Sequence, residues 1–381
     1  MQQQVVDNPF WQDRFLSILE ALVTRESPSG SKDELDRLAE FIKGQFQKRG
    51  CSAETIPMTD TGNHLKVKWI PGNGDTHLAP LLVLCHMDTV WDVGTLHAMP
   101  FRIDGDQVWG PGTLDMKAGI AMALVAMDIL IQRGLSPRRP VTFLVNSDEE
   151  IGSPSSRPLI EAEAQRSEYV IVLEGAQPGS GACKTSRKGV GMFRLEIKGK
   201  AAHAGLAPQD GISAIEELAR QVIKLHSYSD FTLGTSVNVG VVQGGTRRNV
   251  VADHAEALID LRVTSQQEAE RMEKLILALQ PELQGAEIHL SGGINRPPME
   301  RTTGNIQLYQ KAKALAHSLG LSLPEDSSGG GSDGNFTSAL GIPTLDGMGA
   351  VGYGPHATNE HILLTSTFER IALLTELFLH L

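Results

Sequence analysis

Apolar residues recur at helical spacing over residues 11–24, where Phe15, Leu19 and Leu22 share a face, and over 33–49, where Leu35, Leu38, Phe41, Ile42 and Phe46 do. Gly50 supplies the second helix with a stop. The period then shortens. "HLKVKWI", "LLVLC", "VTFLV" and "YVIVL" read as strands, and the last three are nearly continuous apolar runs, the pattern of strands covered on both faces. Between them, residues 116–133 carry a long apolar helix. Strands alternating with helices predict an α/β layer around a mixed, mostly parallel central sheet with helices on both faces.

The rhythm changes after residue 184. "GVGMFRLEIKG" alternates apolar and polar positions, a helix is predicted at 211–226, two strands follow in "TSVNVGVVQGG" and "HAEALIDLRV", then a helix at about 265–280 and a strand in "AEIHLSGG". The order β-α-β-β-α-β is that of a ferredoxin-like α+β unit. Helical and strand signals resume in "NIQLYQKAKALAHSLG", "TLDGMG" and 365–380. The expected organisation is a first catalytic part at 1–184, an inserted domain at 185–295 and a second catalytic part at 296–381.

Composition narrows the partners. The chain has 381 residues and a formal net charge of −11, which argues against nucleic acid as a partner. Three scattered cysteines with no C-x-x-C pattern read as reduced thiols. Residues 1–12 show no basic-then-apolar leader, and no apolar run reaches the ~20 residues of a membrane span. The expectation is a cytoplasmic protein with no membrane partner.

Chemistry gathers at the ends of the apolar strands. His86 and Asp88 in "CHMDTV" point to the same side of a strand end, where a carboxylate can orient a metal-bound imidazole. Asp115 follows the turn "GPGTL", Glu149 and Glu150 end "NSDEE", Glu174 ends "YVIVLEG", and His356 lies in the glycine-rich "GYGPHATNE". Taken singly, these are an N-cap, a solvated turn, a strand-edge acid and a loop histidine. Together they deliver oxygen and nitrogen donors to one edge of one sheet, where α/β folds bind ligands. Five such donors with a shared carboxylate suit a two-zinc site, and the donor types fit cobalt or manganese as well. The sequence has no H-E-x-x-H or Walker A motif.

The ordered set "CHMDTV", "GPGTLDMKAG", "SDEEIGS", "LEG", "AAHAG" and "GYGPHATNE" resembles the two-zinc aminoacylase and carboxypeptidase family, which includes acetylornithine deacetylase, succinyl-diaminopimelate desuccinylase and, nearest in pattern, glutamate carboxypeptidase. The resemblance covers essentially the whole chain. It implies that Asp115 bridges two zinc ions, that His86 and Glu174 hold one and Glu150 and His356 the other, and that Glu149 is the general base while Asp88 orients His86. It implies a cis peptide after Asp115. It also implies that the inserted domain is a lid and homodimerisation domain whose His203 stabilises the oxyanion. Asn249 and Arg262 would contact substrate, Arg262 by clamping a carboxylate. Arg296 resembles an arginine of the glutamate-releasing branch, and Gly330 and Gly331 would offer backbone N–H groups to a carboxylate. Lys184 and Arg187 resemble lid-entrance residues, and Asp148 receives no role. The implied reaction is zinc-dependent hydrolysis of an N-acyl or peptidyl amino acid, releasing a C-terminal, preferably acidic, residue. An N-acyl-ornithine or succinyl-diaminopimelate type deacylase and an inactive metal-binding scaffold remain the alternatives.

Overall fold

Alternation in the strand Leu81–His86 divides its side chains between two cores. Leu81, Val83 and Cys85 join one buried cluster with Phe15, Leu124 and Phe378, while Leu82 and Leu84 join another with Ile160 and Phe336. The neighbouring strand Val141–Asn146 divides in the same way, with Phe143 on the first side and Leu144 on the second. Burying each such side chain contributes about 1.5–3 kcal/mol, so a one-residue slip would exchange both faces at once.

The structure is a computed structural model that describes residues 8–70, 72 and 75–381. The first seven residues, on which the leader expectation partly rests, lie outside the described residues. Among the described residues no helix is long and apolar enough to cross a membrane. The chain forms two compact units, one from Met1–Ser186, Arg301–Ser328 and Ser332–Leu381, the other from Arg187–Glu300 and Gly329–Gly331.

In the first unit the six-stranded sheet runs in the order Ser52–Ile56, His64–Trp69, Val141–Asn146, Leu81–His86, Tyr169–Val172, Thr344–Leu345. The last four strands are mutually parallel, and His64–Trp69 opposes its neighbours on both sides. His86 is in register with Asn146, and Leu84 with Val172, so three adjacent strands end along one edge. Helices cover both faces. Ala118–Gln132, buried almost all round, packs against Pro9–Val23 and Leu364–His380. That helix starts later than its apolar pattern predicts, because Asp115 and Met116 have non-helical backbone angles; the peptide between these two residues is cis. A second, antiparallel sheet of very short strands, Gly352–Tyr353, His361–Leu363, Gln107–Trp109 and Arg102–Asp104, ties the end of the chain to the segment before Asp115.

Close approach explains one glycine at the helix start. A Cβ on Gly119 would lie 2.3 Å from the carbonyl oxygen of Leu173, beside the strand end that carries Glu174. Gly119→Ala is therefore expected to destabilise the fold by about 1–3 kcal/mol through overpacking, read as a lower urea midpoint at unchanged slope.

The second unit carries the antiparallel order Ser236–Gly244, His254–Val263, Gly189–Lys198, Glu287–Arg296, with helices Ala214–His226 and Gln266–Leu277 packed on it. Phe193, Leu195 and Ile197 enter its core, and the polar residues between them stay outside. Ser213 and Ser265 cap the helices by accepting the N–H of Glu216 and Glu268. All three cysteines are buried and free, and burial pushes the thiols of Cys51 and Cys183 up to about 12 and that of Cys85 higher still.

Candidate metal centre

The parallel edge places His86 where its strand ends, with Glu149–Glu150 and Glu174 following the strands on either side. His86 is buried, and its Nδ1 lies 3.0 Å from the carbonyl oxygen of Asp88. Donation to that carbonyl fixes the ring so that Nε2 faces the carboxylates of Asp115 at 3.1 Å and Glu174 at 3.3 Å. On the opposite side His356 Nε2 lies 3.2 Å from Asp115 Oδ2 and 3.0 Å from Glu150 Oε2. Asp115 thus presents one oxygen to each imidazole. His356 adopts φ +61°, a left-handed backbone that costs a non-glycine residue about 1–3 kcal/mol.

The Asp88 carboxylate stands 3.4 Å from His86 Nδ1, farther than its own carbonyl. Its nearer partners are the Ser29 hydroxyl at 2.7 Å and the amides of Glu150 and Glu149 at 3.1 and 3.2 Å. It therefore joins the histidine strand to the glutamate turn. Asp148 ties the same turn to the residues after it, its Oδ2 accepting the amides of Ser155 and Ser156 and the Ser155 hydroxyl. Ser155 in turn meets His64 Nε2 at 2.9 Å. Asp148 is thus a turn-fixing residue.

The donor set fits a cation. His86, Asp115 and Glu150, and likewise His86, Glu149 and Glu174, each place three ligand atoms within 4.8 Å of one another. Glu150 Oε1 is buried with no hydrogen-bond partner, an arrangement costly for a carboxylate unless an ion takes it. Without an ion, protons take that place. Burial opposes the charge on His86, but hydrogen bonds to Asp115, Asp88 and Glu174 hold its pKa well above the usual value. Hydrogen bonds to Asp115 and Glu150 raise His356 to about 11. Burial alone would raise Asp115, yet the two histidines hold its carboxyl well below the ordinary range. Burial lifts Glu150 to about 7.

The remaining expected residues lie in the second unit, apart from Lys184, whose ammonium donates to the Gly175 carbonyl just past Glu174. His203 is exposed, and its Nδ1 accepts the amides of Gly205 and Leu206, both at 3.1 Å. The Asn249 carbonyl accepts the amide of Ala204 beside it. Arg262 directs Nε and Nη2 to the two oxygens of Asp260, each at 2.8 Å, so an acid two residues earlier on the same strand face takes its bidentate edge. Arg296 is buried, and a Cβ on Gly331 would meet its Cδ. The carbonyls of Gly330 and Gly331 both accept from Arg187. Ser29 and Glu360, which hold the Asp88 carboxylate and the Asp115 amide, carry no mark in the sequence pattern. Neither lies in an apolar period, although Glu360 closes the same "GYGPHATNE" segment that supplied His356.

Residues 82–380 match the model of peptidase family M20/M25/M40. Carboxypeptidase G2 of Pseudomonas sp. (strain RS-16) is 28% identical over 376 residues, which span 97% of this chain and 90% of that protein. Succinyl-diaminopimelate desuccinylase of Shewanella pealeana is 28% identical over 93% of this chain and 96% of its own. Among solved structures, an M20 family metallo-carboxypeptidase from Sulfolobus solfataricus, Sso-CP2, superposes with a TM-score of 0.74 at 21% identity, over 96% of this chain and 98% of that one.

Proposed function

The chain belongs to peptidase family M20/M25/M40, and from that premise we propose that it is a two-zinc hydrolase that releases a C-terminal, preferably acidic, amino acid from N-acyl or peptidyl substrates. The observation that carries this reading is the Asp115 carboxylate, set between His86 and His356 with one oxygen toward each. In this reading His86, Glu174, Glu150, His356 and Asp115 would hold the ions, His86 and Glu174 on one side of Asp115 and Glu150 and His356 on the other. A pair of divalent ions bound there would supply a water acidic near neutral pH and a Lewis acid for the scissile carbonyl. Glu149 accepts the proton of the attacking water and returns it to the leaving nitrogen. Asp88 keeps the histidine strand and the glutamate turn in mutual register. The two amides donated to His203 Nδ1 put that ring's proton on Nε2, which makes Nε2 a donor suited to a developing oxyanion. The second unit serves as lid and dimerisation domain.

The carboxypeptidase reading draws support from the extent of the match to carboxypeptidase G2, and the preference for an acidic residue from Arg187 and Arg296, two buried guanidinium groups in the second unit. The similarity to a succinyl-diaminopimelate desuccinylase, together with the closure of Arg262 by Asp260, favours a deacylase as the second reading. A panel of matched N-acyl-glutamate, N-acyl-aspartate, N-acyl-ornithine and N-succinyl-diaminopimelate substrates separates the two. The expected result is kcat/KM at least about tenfold higher for the acidic members, a difference of ~1.4 kcal/mol in transition-state binding. The reverse order would assign the chain to the deacylases.

A further inference from the structure

We infer that Glu360 is a positioning residue that sets Asp115 and His356 for the second metal ion; the inference rests on the two-ion reading above. Glu360 is buried, and its carboxylate accepts four hydrogen bonds. Oε2 takes the Gly112 amide at 2.9 Å and the Trp91 indole N–H at 3.0 Å. Oε1 takes the Leu114 amide at 2.8 Å and the Asp115 amide at 3.1 Å. All four donors are neutral N–H groups.

The clasp follows from the local backbone. Gly112 is left-handed, at φ +70°, and Asp115 and Met116 are non-helical. The turn therefore lacks the repetitive ladder that would use the amides of residues 112, 114 and 115. Buried amides require acceptors, and one carboxylate from the far end of the chain supplies them. One of the three residues that donate an amide to Glu360, Asp115, is the one whose carboxylate faces both imidazoles. The segment that supplies Glu360 also supplies His356, four residues earlier, and the Glu360 amide is tied back to the Ala357 carbonyl. A single side chain therefore fixes the backbone of Asp115 relative to the loop of His356. Glu174 does not depend on this clasp, since it follows the strand Tyr169–Val172.

The chemistry calls for a carboxylate. Glutamine has the same shape, but its NH2 would confront two of the four donors. Buried groups that orient metal ligands typically set affinity by about 10–100-fold. Glu360→Gln is accordingly expected to weaken the second of two zinc-binding steps by about 10–100-fold and to weaken the first less, since that step shares Asp115 but keeps His86 and Glu174. The measurement is a zinc competition titration against a chromophoric chelator, paired with thermal unfolding of the metal-free protein. Two unaltered binding steps alongside a lower metal-free Tm would reduce Glu360 to a support of the fold and overturn the inference. Trp91→Phe removes one donor and adds none, and decides the matter if Glu360→Gln does not fold. It is expected to weaken the second step by about 3- to 10-fold, and an unchanged second step overturns the inference. A wild-type chain that takes up one ion would instead sink the two-ion reading. Glu360 would then be judged on that single step, where equal affinity in wild type and Trp91→Phe counts against it.

Discussion

Glu149→Ala is expected to retain two metal ions per chain and to lose turnover by about 10²–10⁴-fold, the usual cost of removing a general base. The two glutamates differ in surroundings. Glu150 meets His356 at 3.0 Å through one oxygen, and its other oxygen is buried without a partner. Glu149 is half-buried, and its carboxylate comes within 4.8 Å of ligand atoms of both His86 and Glu174. That distance would also suit a ligand, and the variant separates the roles. A ligand would take an ion with it when removed, whereas a base would leave the metal content intact. Metal analysis of the dialysed variant beside wild type, with kcat measured on the same sample, decides between them. A variant that binds fewer ions, or one that turns over at the wild-type rate, would defeat the assignment.

Stripping the protein with a chelator is expected to abolish turnover, and zinc is expected to return more tightly as the pH is raised. The sign follows from the protons the metal-free site holds. His356 stays protonated up to about 11 because of its hydrogen bonds to Asp115 and Glu150. His86, despite the opposing effect of burial, stays protonated well above the ordinary histidine range. Glu150, raised by burial to about 7, is partly protonated near neutrality. Each group must surrender its proton before it can bind a cation. Binding therefore releases protons, and apparent affinity should climb roughly tenfold per pH unit for each proton displaced. Competition titrations at pH 6, 7 and 8, with proton release followed by an indicator in weak buffer, test this. A flat affinity across that range would contradict the proposed exchange of protons for metal.

Much of this architecture is legible in the residues. The apolar runs at 81–85 and 141–145 show strands covered on both sides, and the structure sends their alternate side chains to two cores. The acids and imidazoles at the ends of such runs are therefore grouped by the sequence alone. The connections that tune the group were less legible. The Asp88 carboxylate engages backbone amides of Glu149 and Glu150, and Glu360 engages those of residues 112, 114 and 115. A backbone amide is common to nearly every residue, so its choice of acceptor leaves no mark on side-chain pattern. Strands of two or three residues, such as Gly352–Tyr353 and Gln107–Trp109, are too short for alternation to register. The pairing of Arg262 with Asp260 belongs to a third kind, because period-2 geometry already places positions 260 and 262 on one face. What the pattern could not weigh was a neighbouring acid against a substrate carboxylate as the partner.

The buried thiols have a practical consequence. Cys51, Cys85 and Cys183 are enclosed, and burial holds each in its unreactive protonated form. Alkylating probes react with thiolates, so the native chain is nearly silent to maleimides while it remains folded. A single cysteine introduced on the exposed face of the second unit would be the one labelling position. A dye or spin label there could then report on its surroundings, and a second introduced cysteine would allow distances to be measured, without first removing the protein's own cysteines.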